Sequence, residues 1–183
     1  MKRIFVAINL PGQIKNQLSE LEEDIKGLFP TEVRAAVSKW VEPENLHITL
    51  AFLGFIKEER LPDIISRVKK IAEIVRPFKV ALKRVCYDSQ EKIPRLIWIC
   101  LEKNDLLEKM AGELGNFNFS GHITLSRIKG WVWKGIEPEE RPDIERGLDL
   151  KIDVCSIELM ESHLTRKGPE YTILQSFPLL GVD

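Results

Sequence analysis

Histidine is scarce in this chain, three among 183 residues. Cysteine is equally scarce, and Cys86, Cys100 and Cys155 form no Cys-x-x-Cys pair with metal or redox spacing. Each lies in an apolar, strand-like run, as a small core residue does, a pattern compatible with a reducing cytoplasm. An excess of charge of either sign is missing too. The formal net charge is −1, so nothing draws the whole molecule to nucleic acid or membrane, and any polyanion site must be a local patch. The longest apolar runs are of strand length, far short of the roughly 18 residues a membrane span needs. Met-Lys-Arg leads into IFVAINL, but Pro11 and a charged helical stretch follow with no small-residue cleavage site, so the opening reads as a first strand rather than a signal peptide. No Gly-x-x-x-x-Gly-Lys-[Ser/Thr] loop is present to cradle nucleotide phosphates, and no Gly-x-Ser-x-Gly elbow to raise a serine nucleophile.

What is present suits a folded protein: 44% of residues are apolar and 30% charged. The length allows one core-bearing domain or two small lobes sharing an interface, and with no low-complexity linker residues 1–183 read as a single unit. RIFVAINL has the look of a mostly buried strand. After Pro11, Ile14, Leu18, Leu21, Ile25 and Leu28 recur at spacings of three and four, the stripe of an amphipathic helix. VSKWV and LHITLAFLG read as strands around a Pro-Glu-Asn turn. A second helix is expected over 58–76, stopped by Pro77. Strands FKVALKRVCYD and RLIWICLEK follow, joined by SQEKIP, and then a third helix capped by Asn104 or Asp105. NFSGHITLSRIK is a further strand. GWVWKGIEPEERPDIERGLDL reads as a loop with a short helix, and KIDVCSIELMESHLT with YTILQSFPLL as a terminal hairpin linked by RKGPE. The order β-α-β-β-α-β-β-α-β-(α)-β-β, with many hairpin-length loops, predicts an α+β fold of largely antiparallel sheet.

Two of the three histidines stand in the same phrase, His47-Ile48-Thr49-Leu50 and His122-Ile123-Thr124-Leu125. On a strand, residues i and i+2 share a face, so each histidine projects with its threonine while Ile and Leu turn into the core. Two such strands related by approximate two-fold symmetry present two imidazoles and two hydroxyls to one cleft. That set suits acid–base chemistry on a phosphodiester. A neutral imidazole takes a proton, a charged one gives a proton, and an ordinary pKa near 6.5 lets both states exist near neutrality. Threonine hydroxyls can bond non-bridging oxygens, and a guanidinium can stabilise the charge that builds there. Arg127 is the natural candidate, although alternation alone puts it on the face opposite His122, so a strand end, twist or bulge must redirect it. A lone histidine on an apolar strand is more often an ordinary packed or surface residue; the matched pair is what argues for chemistry. Two histidines with threonine neighbours supply too few ligands for zinc, and no cofactor is expected.

The residues that carry the repeat also resemble a family, the RNA 2′,3′-cyclic phosphodiesterases, or 2′-5′ RNA ligases, of the two-histidine phosphoesterase superfamily. RIFVAINLP is similar to that family's Arg-x-Phe-hydrophobic-Ala start. WVEPENLHITLAFLG is similar to its first motif, HITLSRIK to its second, and SHLTRKGPEYTILQSFPL to its ending. Gly121 departs from a proline often found before the second histidine. The resemblance implies a bilobal fold, two pseudo-symmetric lobes of mostly antiparallel sheet with flanking helices around a central cleft. It implies metal-independent opening of RNA 2′,3′-cyclic phosphates to 2′-phosphates, with reversible 2′-5′ RNA ligation. It further implies His47 as proton donor to the 3′ oxygen, His122 as proton acceptor from water, and Thr49, Thr124 and Arg127 as substrate-binding residues. The implied partner is RNA ending in a 2′,3′-cyclic phosphate, such as a tRNA half, with no membrane partner and the chain a cytoplasmic monomer. A phosphodiesterase for small cyclic nucleotides and a non-catalytic RNA- or nucleotide-binding module are the alternative readings. Trp40, Phe52, Trp131, Trp133 and Tyr171 could stack on bases, and Lys39, Lys129 and Lys134 could form a basic rim.

Overall fold

The apolar stripe of the first helical stretch finds its partner at once. In the computed structural model, which describes residues 1–89, 93–165 and 168–181, α1 (Gly12–Leu28) buries Ile14, Leu18, Leu21 and Ile25. Leu28 stays half exposed, and Phe29, one residue on, is the buried side chain instead. The strand before it, β1 (Lys2–Asn9), is buried on both faces from Ile4 to Ala7 because it lies inside a sheet rather than at its edge.

The second helix is shorter than its apolar pattern. Glu58–Arg60 form a single 3-10 turn and α2 spans Leu61–Ala72. The helix ends well before Pro77, and the Val75 carbonyl accepts from the Leu180 N–H at 2.8 Å, so the terminal segment takes the bond that a further helical turn would need. The third, α3 (Asp105–Glu113), starts at Asn104, whose side chain accepts from the N–H groups of Leu106 and Leu107.

The described strands are all antiparallel and fall into two halves. One half runs β3 (His47–Ile56), β1, β8 (Ser156–Thr165), β9 (Gly168–Pro178). The other runs β6 (His122–Ile128), β5 (Leu96–Leu101), β4 (Phe78–Tyr87), β7 (Arg146–Val154), and the short β2 (Ser38–Trp40) is added on β6. The halves meet where β3 faces β6, with Ile48 paired to Ile123. The orders mirror each other about that junction, and the units β1-α1-β3 and β5-α3-β6 correspond, each an antiparallel strand pair spanned by a helix. This is the expected bilobal α+β architecture.

The chain changes lobes where the sequence reads as one strand. KIDVCSIELMESHLT is divided at Cys155: β7 pairs with β4 in one lobe and β8 with β1 and β9 in the other. β7 also begins at Arg146, inside the stretch read as loop, where β4 offers it a partner; only α4 (Gly130–Lys134) and a 3-10 turn at Pro138–Glu140 precede it. Residues 90–92 of the SQEKIP connection and 166–167 of the hairpin link lie outside the described residues; Gly168–Glu170 of that link are already strand.

Candidate active site

β3 and β6 lie side by side at the lobe junction, and each exposes its repeat in the same way. Ile48, Leu50, Ile123 and Leu125 are fully buried, while His47, Thr49, His122 and Thr124 sit half-buried on the other face. Both strands then carry a bulge at the leucine of the repeat. On β3, Thr49 pairs with Ala7 and Ala51 with Val6, leaving Leu50 unpaired. On β6, Thr124 pairs with Trp98 and Ser126 with Ile97, leaving Leu125 unpaired. An extra residue reverses the phase of the alternation beyond it. Leu50 and Ala51 are therefore buried in succession, as are Leu125 and Ser126, and the next side chains, Phe52 and Arg127, return to the cleft face. The redirection of Arg127 thus has its physical cause. Gly54, at φ 78°, takes up the second irregularity of β3, a conformation that costs other residues strain.

His47, Thr49, His122, Thr124 and Arg127 line one cavity of about 270 Å³. Trp40, Phe52, Tyr171 and Lys39 line it as well. Trp131 does not and is exposed; Trp133 is buried against Phe29 and Tyr87; Lys129 and Lys134 lie on the surface elsewhere. His163 stands on β8 with its Nε2 3.7 Å from Glu161. Among the described residues, no group of three or more His, Cys, Asp or Glu side chains is arranged to hold a metal ion.

The imidazoles are oriented alike. His47 Nδ1 lies 2.7 Å from the Asn45 carbonyl, and His122 Nδ1 lies 2.7 Å from that of Ser120. A carbonyl only accepts, so each Nδ1 carries a hydrogen and each neutral ring keeps its lone pair on Nε2. His47 Nε2 accepts from the Thr49 hydroxyl at 2.9 Å. The rings are braced differently. His47 packs against Phe5 and edge-on against Tyr171, with centroids 5.2 and 5.1 Å away, whereas His122 stacks flat on Trp98 at 4.2 Å and 13°. Burial, helped by the charges of His122 and Lys15 and only partly offset by the Asn45 carbonyl, takes the His47 pKa down to about 4. Burial also lowers His122, against the raising effect of the Ser120 carbonyl.

Sequence reasoning missed Trp98 and Asn45. Asn45 fixes the His47 tautomer with its carbonyl and ties its amide to the Pro169 carbonyl at 3.2 Å. Its place two residues before the histidine, matched by Ser120 before His122, was the available signal. Trp98 offered none, because its meeting with His122 follows from the β5–β6 register. Gly121 has no unusual φ; a Cβ there would approach Leu101 to 3.1 Å, so close packing suits a small residue.

Comparison with known proteins agrees with this geometry. The sequence model of the LigT like phosphoesterase family matches residues 8–98. An RNA 2′,3′-cyclic phosphodiesterase of Aquifex aeolicus is 31% identical over 179 residues, covering 90% of this chain and 92% of the relative. A solved protein of Thermus thermophilus superposes with a TM-score of 0.80 at 29% identity, covering 98% of both chains. E. coli LigT complexed with phosphate superposes with a TM-score of 0.75 at 26% identity, again over 98% of both. A phosphoesterase by this kinship, the chain belongs to the family of RNA 2′,3′-cyclic phosphodiesterases, the LigT-like phosphoesterases.

Proposed function

We propose that the protein opens RNA 2′,3′-cyclic phosphate ends to 2′-phosphates without a metal ion, residues 1–183 acting as one bilobal unit. The observation that carries this reading is the convergence of two His-x-Thr faces on one cavity with both Nε2 atoms directed away from their backbone anchors. The phosphate bound by E. coli LigT, a relative with the same fold, supports an anion in the cleft.

In the proposed step a water oxygen attacks phosphorus and gives its proton to His122 Nε2. The bond from phosphorus to the 3′ oxygen breaks, and His47, charged in the complex, delivers the Nε2 proton to that oxygen. The products are a 2′-phosphate and a free 3′-hydroxyl. Thr49 and Thr124 donate to non-bridging oxygens, and the Arg127 fork balances their growing charge. With an RNA 5′-hydroxyl in place of water, the same step forms a 2′-5′ linkage. Both imidazoles are depressed by burial in the protein itself, so the substrate's own negative charge supplies what charges His47.

The test is incubation with EDTA and an oligoribonucleotide ending in a 2′,3′-cyclic phosphate, with identification of the product isomer. A 2′-phosphate is expected, reduced about 10²-fold or more in rate by His47→Ala and by His122→Ala. A 3′-phosphate product, or activity that needs an added metal ion, would overturn the mechanism.

A further inference from the structure

A second cavity, of about 390 Å³, opens against α1 and shares Trp40, Val41 and Glu42 with the catalytic cleft. One of its walls is Glu22, only 4% exposed, whose Oε1 has no hydrogen-bond partner among the described residues. Glu22 belongs to the buried side of α1 beside Leu18, Leu21 and Ile25, a stripe that an apolar residue would complete. A buried, unsatisfied carboxyl oxygen there calls for an explanation, and a ligand is the simplest. Lys26, on the same cavity, has its Nζ 5.1 Å from the centre of the Trp40 ring and donates to Glu23. Acidic and basic groups thus stand side by side next to an aromatic wall.

We propose that this cavity is a nucleobase subsite, which takes the base of the nucleotide bearing the cyclic phosphate and prefers guanine. The inference rests on the reading above, in which His47 protonates the 3′ oxygen. That role places the ribose on the His47 side of the phosphate, so the base extends toward the lead-in from Trp40 to Asn45, where the second cavity opens. Guanine presents one carbonyl acceptor followed by two N–H donors along its pairing edge. An ammonium has three N–H groups, of which Lys26 commits one to Glu23, leaving donors for the guanine carbonyl. The Glu22 carboxyl accepts from the adjacent N–H groups through its two oxygens. Uracil fits worse, because its two carbonyls would face Glu20, Glu22, Glu23 and Glu42. Burial, opposed by Lys26 and helped by Glu23 and Glu42, takes the Glu22 carboxyl up to about 8. Near neutrality Glu22 is therefore the neutral acid in the free protein, and a donor-rich edge draws it toward the carboxylate.

Four oligoribonucleotides that differ only in the base at the cyclic phosphate end test the proposal. For the native protein, kcat/KM for guanine is expected to exceed that for uracil about tenfold, the effect of a good bidentate contact. Glu22→Gln, which turns an amide N–H toward the base donors, is expected to bring that ratio close to one. Each ratio is read within a single variant, so a partly unfolded preparation does not distort it. Equal kcat/KM for the four ends, or a guanine preference that survives Glu22→Gln, overturns the subsite and leaves the phosphodiesterase reading intact. Failure of the native protein to turn over any of the four overturns that reading, and the subsite with it.

Discussion

Phosphate binding should transform the titration of His47. In the free protein its pKa is about 4, because burial penalises the imidazolium. A phosphate charge about 4 Å from that imidazolium, at an effective dielectric constant near 20, stabilises the charged form by about 4 kcal/mol. At about 1.36 kcal/mol per pH unit this is a rise of about three units, to the neighbourhood of neutrality. The assay is NMR titration of the three histidine rings with and without saturating inorganic phosphate, His47 being assigned with a His47→Asn variant. His47 should stay neutral down to about pH 4 in the free protein and titrate near 7 in the complex. A free-protein pKa near 6.5 would refute the desolvation argument. A pKa that phosphate leaves near 4 would refute the coupling of substrate charge to the proposed proton donor.

The same depression has a consequence for folding. The unfolded chain takes up the His47 proton near pH 6.5 and the folded chain only near 4, so stability falls as pH drops through that window, by about 3 kcal/mol in all. Urea unfolding at pH 7 and pH 4 should show His47→Asn losing less stability than the native protein by about that amount. Arg127→Ala should lower kcat/KM by about 10²–10³, with Arg127→Lys only partly restoring it because the guanidinium fork is gone; a loss of less than a few-fold would remove Arg127 from the phosphate. Ile123, fully buried and paired with Ile48 at the lobe junction, should cost about 2–5 kcal/mol when cut to alanine, read from the urea midpoint at pH 7.

The repeat was legible because its signal is local. A strand period of two tells which of His47, Ile48, Thr49 and Leu50 share a face, and the structure follows it. The helix cap at Asn104 was legible for the same reason, since a cap bonds only to its own first turn. What stayed hidden depends on pairing between distant segments. Nothing within KIDVCSIEL marks Cys155 as the point where the chain leaves one sheet for the other, because both sides alternate like strand. The bulge at Leu125 is a mismatch between β6 and β5 that neither strand encodes alone. Among the aromatics, Trp40 and Trp131 are equally plausible on composition, and only the addition of β2 to β6 brings Trp40 to the cleft.

The two lobes repeat a geometry but not a chemistry, and the departures fall in one direction. Two residues beyond the bulge stands Phe52 in one lobe and Arg127 in the other. The histidine on the strand that carries Phe52 is enclosed by Phe5 and Tyr171 and is driven to a pKa of about 4. Its counterpart lies flat on Trp98, in the lobe that also supplies the guanidinium. A perfectly symmetric pair would hold two equivalent imidazoles, with nothing to decide which is charged when substrate arrives. Here the ring that burial discharges most strongly has the most to gain from an incoming anion, since Coulombic attraction grows as water is excluded. It therefore takes a proton when substrate binds and has it to give when the ester bond breaks. The ring in the other lobe is also lowered by burial, against the Ser120 carbonyl, and its neutral form keeps Nε2 open to accept. On this argument, exchanging Phe52 and Arg127 should do more harm than either single substitution predicts. The exchange moves a positive charge from the acceptor's strand to the donor's, so kcat in the double variant should fall below the product of the two single effects. Simple additivity in that double-mutant cycle would show that the asymmetry of the bulges has no part in dividing the roles.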